Sequence, residues 1–288
     1  MRAAGPDQDR HGSRRASRVT LCLALGVGCG RAGGPRDPGG PAPVSTGIVA
    51  HRGASHEAPE NTLAALARAW ELGAESCEID VRLSRDGAVV LIHDDTTART
   101  GGLDRAVADQ TLAELQALDV GAWKDPRWRG ERLPTLVEAL GATPAGRMLF
   151  VEIKTGPASA TAVAASIAAA DPRPRGAAVA LQAYDPDTLA AAAALLPGVP
   201  AYWTVDPPVD RFDRPLPYDH GIVAAARARG FAGLALDHRA VDAELVAAVA
   251  AAGLALDVWT INDAAAIAAW RARAVRWIET DRPDLARP

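Results

Sequence analysis

Lysine is almost missing from this chain. Only Lys124 and Lys154 occur, and every other basic residue is arginine. A lysine kept against that bias points to a position wanting a compact point charge. Cysteine is nearly as scarce, with Cys22 and Cys29 close to the N-terminus and Cys77 alone in the remainder, which excludes an internal disulfide framework. Cys77 reads as a buried structural thiol. Excess positive charge is missing too. Residues 1–44 carry seven Arg against three Asp, whereas the other 244 residues carry 24 basic and 32 acidic groups. A body of that balance lacks the basic face that phosphate neutralisation needs, so no nucleic-acid partner is expected. The apolar run Val19–Val27 is too short to span a bilayer. No Gly-x-Gly-x-x-Gly turn follows the first β-rich run, which weighs against a dinucleotide fold.

What remains is ordinary for a folded chain, 49% hydrophobic and 23% charged over 288 residues, which allows one large domain or two small ones. Arg14, Arg15 and Arg18, the run Val19–Val27 and the small residues at Gly28-Cys29-Gly30 have the form of a secretory signal. Gly28-Cys29 is also similar to a lipoprotein-type cleavage site, although Gly26 stands where an aliphatic residue is usual. A cleaved leader would release a secreted or periplasmic protein; a lipidated Cys29 would tether it to the cell envelope. An arginine-rich extension without a targeting role is the bland alternative. Gly30 to Thr46, rich in Gly and Pro, reads as a flexible tether. Residues 1–46 are thus expected to be signal peptide and linker, and 47–288 the folded domain.

From Gly47 the chain alternates. β-rich runs occur at Gly47–His51, Ser76–Leu83, Met148–Lys154, Ala177–Ala183, Pro200–Val205, Phe231–Leu236, Leu254–Thr260 and Val275–Thr280. Alanine-rich helical segments separate most of them, at 62–72, 158–170, 187–196, 221–229, 241–252 and 264–273. Eight β-runs with helical crossovers predict an α/β fold, a (β/α)8 TIM barrel, with an open doubly wound sheet as competitor. Asp86-Gly87 predicts a two-residue hairpin turn that makes Ala88–His93 an extension of strand two. In that register Asp80 faces His93. Asp95–Leu140 reads as a loop and helix insertion over the rim, and Asp206–His220 as a second rim loop anchored by Phe212 and Tyr218.

Chemistry collects at the strand ends. Glu78 and Asp80 are two residues apart, so a strand points both carboxylates to one face, where their repulsion calls for a divalent cation. Glu152 and Lys154 share a face by the same rule, His51-Arg52 end the first run, and His93 ends the hairpin. Three carboxylates around a cation, with Arg and Lys beside them and two histidines left to move protons, describe a site for a phosphate group. Each piece alone has a duller reading: a rim histidine, a first-turn Glu60, a core Trp259, an Asp281 that only satisfies backbone donors.

Together the pieces resemble a known family. His51-Arg52-Gly53, Pro59-Glu60-Asn61-Thr62, Glu78-Ile79-Asp80-Val81 with Asp86-Gly87, His93-Asp94 and Glu152-Ile153-Lys154 appear in the order found in glycerophosphodiester phosphodiesterases. These belong to the phospholipase-C-like phosphodiesterase barrels. The resemblance runs from about Gly47 to Pro283. It implies His51 and His93 as the acid–base pair and Glu78, Asp80 and Glu152 as ligands of one divalent cation, Mg2+ or Ca2+. It further implies Arg52 and Lys154 as partners of the phosphate charge, Glu60 as a holder of those groups within reach of the metal, and Trp259 as an apolar wall for glycerol. The implied activity is hydrolysis of a glycerophosphodiester, a small-molecule substrate, to sn-glycerol 3-phosphate and an alcohol. Two departures stand out: Gln182-Ala183-Tyr184 where a Ser-Phe pair is usual, and Trp277 where Gly is usual. Both bear on pocket wall or packing more than on chemistry. Two further readings remain, a lysophospholipase D-like or sphingolipid phosphodiesterase acting at a membrane, and a non-catalytic phosphoglycerol-binding barrel.

Overall fold

Alternation along the second β-run sets the architecture. A strand that places Glu78 and Asp80 on one side places Cys77, Ile79 and Val81 on the other, and all five are buried. The computed structural model describes residues 45–170, 178–273 and 275–286. The arginine-rich leader, Cys29 and the tether up to Val44 lie outside the described residues. The strands are β1 (Gly47–Ala50), β2 (Ser76–Leu83), β3 (Val89–Leu91), β4 (Met148–Ile153) and β5 (Ala178–Ala183), then β6 (Ala201–Val205), β7 (Gly233–Asp237), β8 (Ala255–Trp259) and β9 (Trp277–Thr280). The helices are α1 (Leu63–Glu71), α2 (Ala98–Gly101), α3 (Leu112–Gln116), α4 (Leu136–Gly141) and α5 (Ala160–Ala169), then α6 (Pro186–Leu195), α7 (Gly221–Ala228), α8 (Ala243–Ala251) and α9 (Ala264–Arg271).

The sheet runs β1-β9-β8-β7-β6-β5-β4-β2-β3, and a further parallel pairing of β1 with β2 closes it. Eight parallel staves therefore form the (β/α)8 barrel among the described residues, and β3 adds to β2 antiparallel. An open doubly wound sheet is ruled out by that closing pair. Outward apolar residues such as Ile79, Leu149, Leu181, Leu234 and Ile278 pack with Leu66, Ile167, Leu189, Leu245 and Ile267 of the helices. Each such burial stabilises by about 1.5–3 kcal/mol. Inside, Phe150, Tyr202 and Trp277 plug the N-terminal half, with ring centroids of Phe150 at 5.3 Å from Tyr202 and 5.4 Å from Trp277. The unusual Trp277 thus belongs to the packing layer. Its neighbour across the ladder is Gly47, where a Cβ would lie 2.2 Å from the indole ring.

The hairpin differs from expectation by one residue. Val81 pairs with Leu91 and Leu83 with Val89, which sets Asp80 beside Ile92 rather than His93; Ile92 N–H donates to the Asp80 carbonyl. The connection is the three-residue loop Arg85-Asp86-Gly87. Ser84 causes the shift: its hydroxyl accepts from Ala88 N and donates to Asp86 Oδ1, while Gly87 takes the left-handed φ of 82° that ends such a loop. β3 ends at Leu91, and the chain bends so that His93 reaches the cavity from beyond the strand.

The insertion after β3 has its own small core, Val90, Ile92, Val107, Leu115, Val120 and Leu133. Thr111 and Thr135 open α3 and α4 with reciprocal capping boxes to Glu114 and Glu138. Lys124 Nζ donates to the Ser55 carbonyl at 2.6 Å, tying the insertion to the loop after β1. In the second rim loop Tyr218 is the anchor, donating to Val205 O and accepting from Asp237 N. Phe212 is not: it is 62% exposed and touches only the cationic ends of Arg211 and Arg214 among the described aromatic and cation contacts. No helix among the described residues is long and apolar enough to cross a membrane.

Candidate active site

The C-terminal ends of the staves enclose a cavity of about 100 Å3 lined by His51, Arg52, His93, Glu152, Lys154 and Trp259, together with Gln182, Tyr184, Thr204, Thr260 and Glu279. Beneath it Glu78, Asp80 and Glu152 each bring a carboxylate oxygen within 4.8 Å of the other two. The ladder accounts for this, because Asp80 pairs directly with Glu152 and Glu78 lies two residues back on the same face. All three are buried. Burial, then repulsion from Asp80, pushes Glu78 well above the usual carboxylate range, and Glu152 is raised chiefly by burial as well. Asp80 goes the other way: burial opposes its charge, but Lys154 and Arg52 outweigh it and hold the carboxylate ionised. Glu78 Oε2 accepts from Arg52 N, while Glu78 Oε1 is buried with no hydrogen-bond partner. An all-oxygen set with an orphaned acceptor fits a hard divalent cation.

Two loops hold these acids. Arg52 and Asn61 both have a left-handed φ of 56°, an unusual conformation for non-glycine residues that concentrates at functional sites. Gly53 between them is obligatory, since its φ is 77° and a Cβ would meet the Ala65 backbone at 2.6 Å. Asn61 grips Asp80 twice, donating to Oδ2 at 2.8 Å and accepting from its backbone N–H at 3.0 Å. Thr62 caps α1, accepting from Ala65 N. Arg52 places Nη1 3.0 Å from Glu60 Oε1 and Nε 3.2 Å from Asp80 Oδ2. Lys154 Nζ lies 2.6 Å from Glu152 and 3.0 Å from Asp80. Glu60 does not join the acidic triad; its oxygens accept from Arg52 and Arg99.

Each histidine has a carboxylate on Nδ1. His51 meets Asp281 at 2.8 Å and His93 meets Asp94 at 2.8 Å, which leaves both Nε2 atoms for the cavity. Asp281 also accepts from Ser55 Oγ and Asn262 Nδ2, so it orients a histidine, and the duller reading of an acid that only satisfies backbone donors falls away. Arg99, on the insertion, bridges Glu60 and Asp94 with four hydrogen bonds and so links the Arg52 side of the site to the His93 side. Trp259 forms the far wall with Tyr184, edge to face at 6.4 Å. All nine residues singled out from sequence therefore gather at one end of the barrel. Those it missed are Asp281 as a histidine partner, Asp94, Arg99 and Asn61. The His93-Asp94 dipeptide was a readable signal for Asp94; Arg99 carries none, because its partner Glu60 lies 39 residues away.

Comparison with known proteins agrees with this geometry. Residues 51–285 match the model of the glycerophosphoryl diester phosphodiesterase family. A glycerophosphodiester phosphodiesterase of Caldanaerobacter subterraneus subsp. tengcongensis is 45% identical over 114 residues, 39% of this chain and 47% of that protein. The Mus musculus glycerophosphodiester phosphodiesterase 1 is 43% identical over 94 residues, 32% of this chain and 28% of its own length. The chain thus spans less than half the length of these curated relatives. Among solved structures, an Oleispira antarctica phosphodiesterase in complex with the product sn-glycerol-3-phosphate superposes with a TM-score of 0.72 at 29% identity, over 83% of this chain and 94% of that one.

Proposed function

The chain belongs to the glycerophosphoryl diester phosphodiesterase family, and from that membership we propose that it hydrolyses glycerophosphodiesters to sn-glycerol 3-phosphate and an alcohol with the help of one divalent cation. The observation that carries this reading is the buried triad Glu78, Asp80 and Glu152, with Glu152 lining the same cavity as two carboxylate-oriented histidines. Glu78, Asp80 and Glu152 would hold Mg2+ or Ca2+, which when bound would supply positive charge to the phosphate and polarise its P–O bond. The protein's own groups do the rest. Arg52 and Lys154 hold the free phosphate oxygens. Burial keeps His93 on the neutral side, suited to take the proton of the attacking hydroxyl, from water or from the substrate's glycerol. Burial opposes the charge of His51, but the Asp281 hydrogen bond helps raise it above its ordinary value and so favours the protonated form, suited to give its Nε2 proton to the departing alcohol oxygen. When water attacks, one P–O bond forms, one breaks, and the two imidazoles exchange charge states. When the glycerol hydroxyl attacks, the cyclic phosphate so formed is opened by a water in a second such exchange, with the two imidazoles reversing roles. Trp259 and Tyr184 close off the apolar side.

The test is hydrolysis of glycerophosphocholine by His51→Ala and His93→Ala. Each loses about a hundred- to ten-thousand-fold in kcat while staying folded. Near-normal turnover in either variant overturns the assignment. Exposed Val209, Phe212 and Leu216 on the rim loop after β6 favour action on a lysophospholipid at a membrane as a second reading. Lysophosphatidylcholine run beside glycerophosphocholine separates the two. Export and a Cys29 tether rest on the leader's sequence alone, and mass analysis of the mature N-terminus tests them.

A further inference from the structure

The cavity has a polar floor that the reading above does not use. Gln182 and Thr204 line it, are 1% and 3% exposed, and come from neighbouring staves. Gln182 Nε2 donates to Asp257 Oδ2 at 3.0 Å and to Glu279 Oε1 at 2.9 Å. With acceptors on both sides of that nitrogen, the amide has one orientation, and its Oε1 is left over. Gln182 Oε1 and Thr204 Oγ1 are both buried with no hydrogen-bond partner. Native interiors rarely leave such groups orphaned, since each costs the desolvation of a polar atom.

Two more buried acids account for how the amide is held. Asp257 is fully buried and Glu279 is 4% exposed, and the two carboxyls hydrogen-bond to each other. Burial pushes Asp257 up to about 7 and Glu279 well above the usual range, as two acids sharing a proton require. This pair pins Gln182 Nε2 and turns its carbonyl away.

We propose that Gln182 Oε1 and Thr204 Oγ1 form a hydroxyl-binding subsite that takes a free hydroxyl of the substrate's glycerol while its phosphate lies at Arg52 and Lys154. The match is chemical. A hydroxyl both donates and accepts; the amide oxygen accepts, and the threonine hydroxyl does either. This subsite rests on the phosphodiesterase reading and adds a reason for it to prefer polyol esters over simple alkyl ones.

Thr204→Val is the sharpest test, because valine keeps the shape and strand preference while deleting an oxygen that has no partner in the protein. Titration calorimetry of the full chain with saturating Mg2+ measures binding of sn-glycerol 3-phosphate and of n-propyl phosphate. Wild type is expected to prefer the glycerol ligand by roughly tenfold, and Thr204→Val to lose that preference by weakening only the glycerol ligand. Its Tm stays equal or rises. Gln182→Met repeats the pattern with some loss of stability, since it strands the carboxyl pair. Equal effects on both ligands, or none, overturn the subsite; none is also the outcome if only water occupies the floor. Failure of the phosphodiesterase reading looks different: wild type then neither hydrolyses glycerophosphocholine nor binds either phosphate, and the subsite falls with it.

Discussion

His51 and His93 face one cavity from opposite electrostatic surroundings. Burial opposes the charged form of His51, yet the hydrogen bond and charge of Asp281 help raise it overall despite Arg52. Burial lowers His93, with Arg52 and Lys154 adding to it against the pull of Asp80 and Asp94. The proposed mechanism needs His93 neutral and His51 protonated. The rate of glycerophosphocholine hydrolysis should therefore rise with pH through a value below the ordinary 6.5 for His93 and fall through one above 6.5 for His51. Asp281→Asn keeps an acceptor for Nδ1 but removes the charge, so His51 loses its proton at lower pH. The alkaline limb should move down while the acid limb stays and KM hardly changes. An unmoved alkaline limb contradicts the assignment of His51 as proton donor. Asp281 and Arg99 show what a linear reading cannot see at this scale, since Asp281 meets His51 across 230 residues and only the closed barrel brings them together. Glu78 and Asp80 were legible because two-residue spacing on a strand is enough to share a face; Glu152 joins them from another strand, through the convergence of strand ends in a barrel and the pairing of β2 with β4.

At the scale of elements, most strands fall within a residue or two of where β-rich runs placed them, because Ala-rich segments and their Gly stops mark the boundaries. The hairpin was misjudged for a local reason. Asp-Gly is the signal of a two-residue turn, but Ser84 takes the Ala88 amide and lengthens the loop by one, which no pattern of apolar residues records. Trp277 poses the reverse case: an oddity in sequence that packing explains. Its indole fills the space a Gly47 side chain would need. Gly47→Ala should cost about 1–3 kcal/mol by overpacking, read from urea unfolding. Combined with Trp277→Leu, the loss should fall well short of the sum of the two single losses, since the smaller side chain makes the room. Additive losses contradict the plug.

On the scale of the whole molecule, periodicity alone could not separate a barrel from an open sheet, because both alternate strands and helices. The difference is the pairing of β1 with β2, a contact between chain segments that share no sequence signal. Closure is what makes the site. It carries His51, Arg52 and Asp281 round to the acids of β2 and β4, and leaves the insertion to brace the rim through Arg99 and Lys124. The central claim, that the triad holds one functional cation, is tested most directly by measuring bound metal and hydrolysis rate in the same samples. Chelated wild-type protein is dialysed against rising Mg2+ or Ca2+, beside Asp80→Asn. The account predicts one cation per chain, with the rate returning as it binds, and neither in Asp80→Asn. Full activity in the chelated protein, or unchanged cation binding by Asp80→Asn, would contradict it.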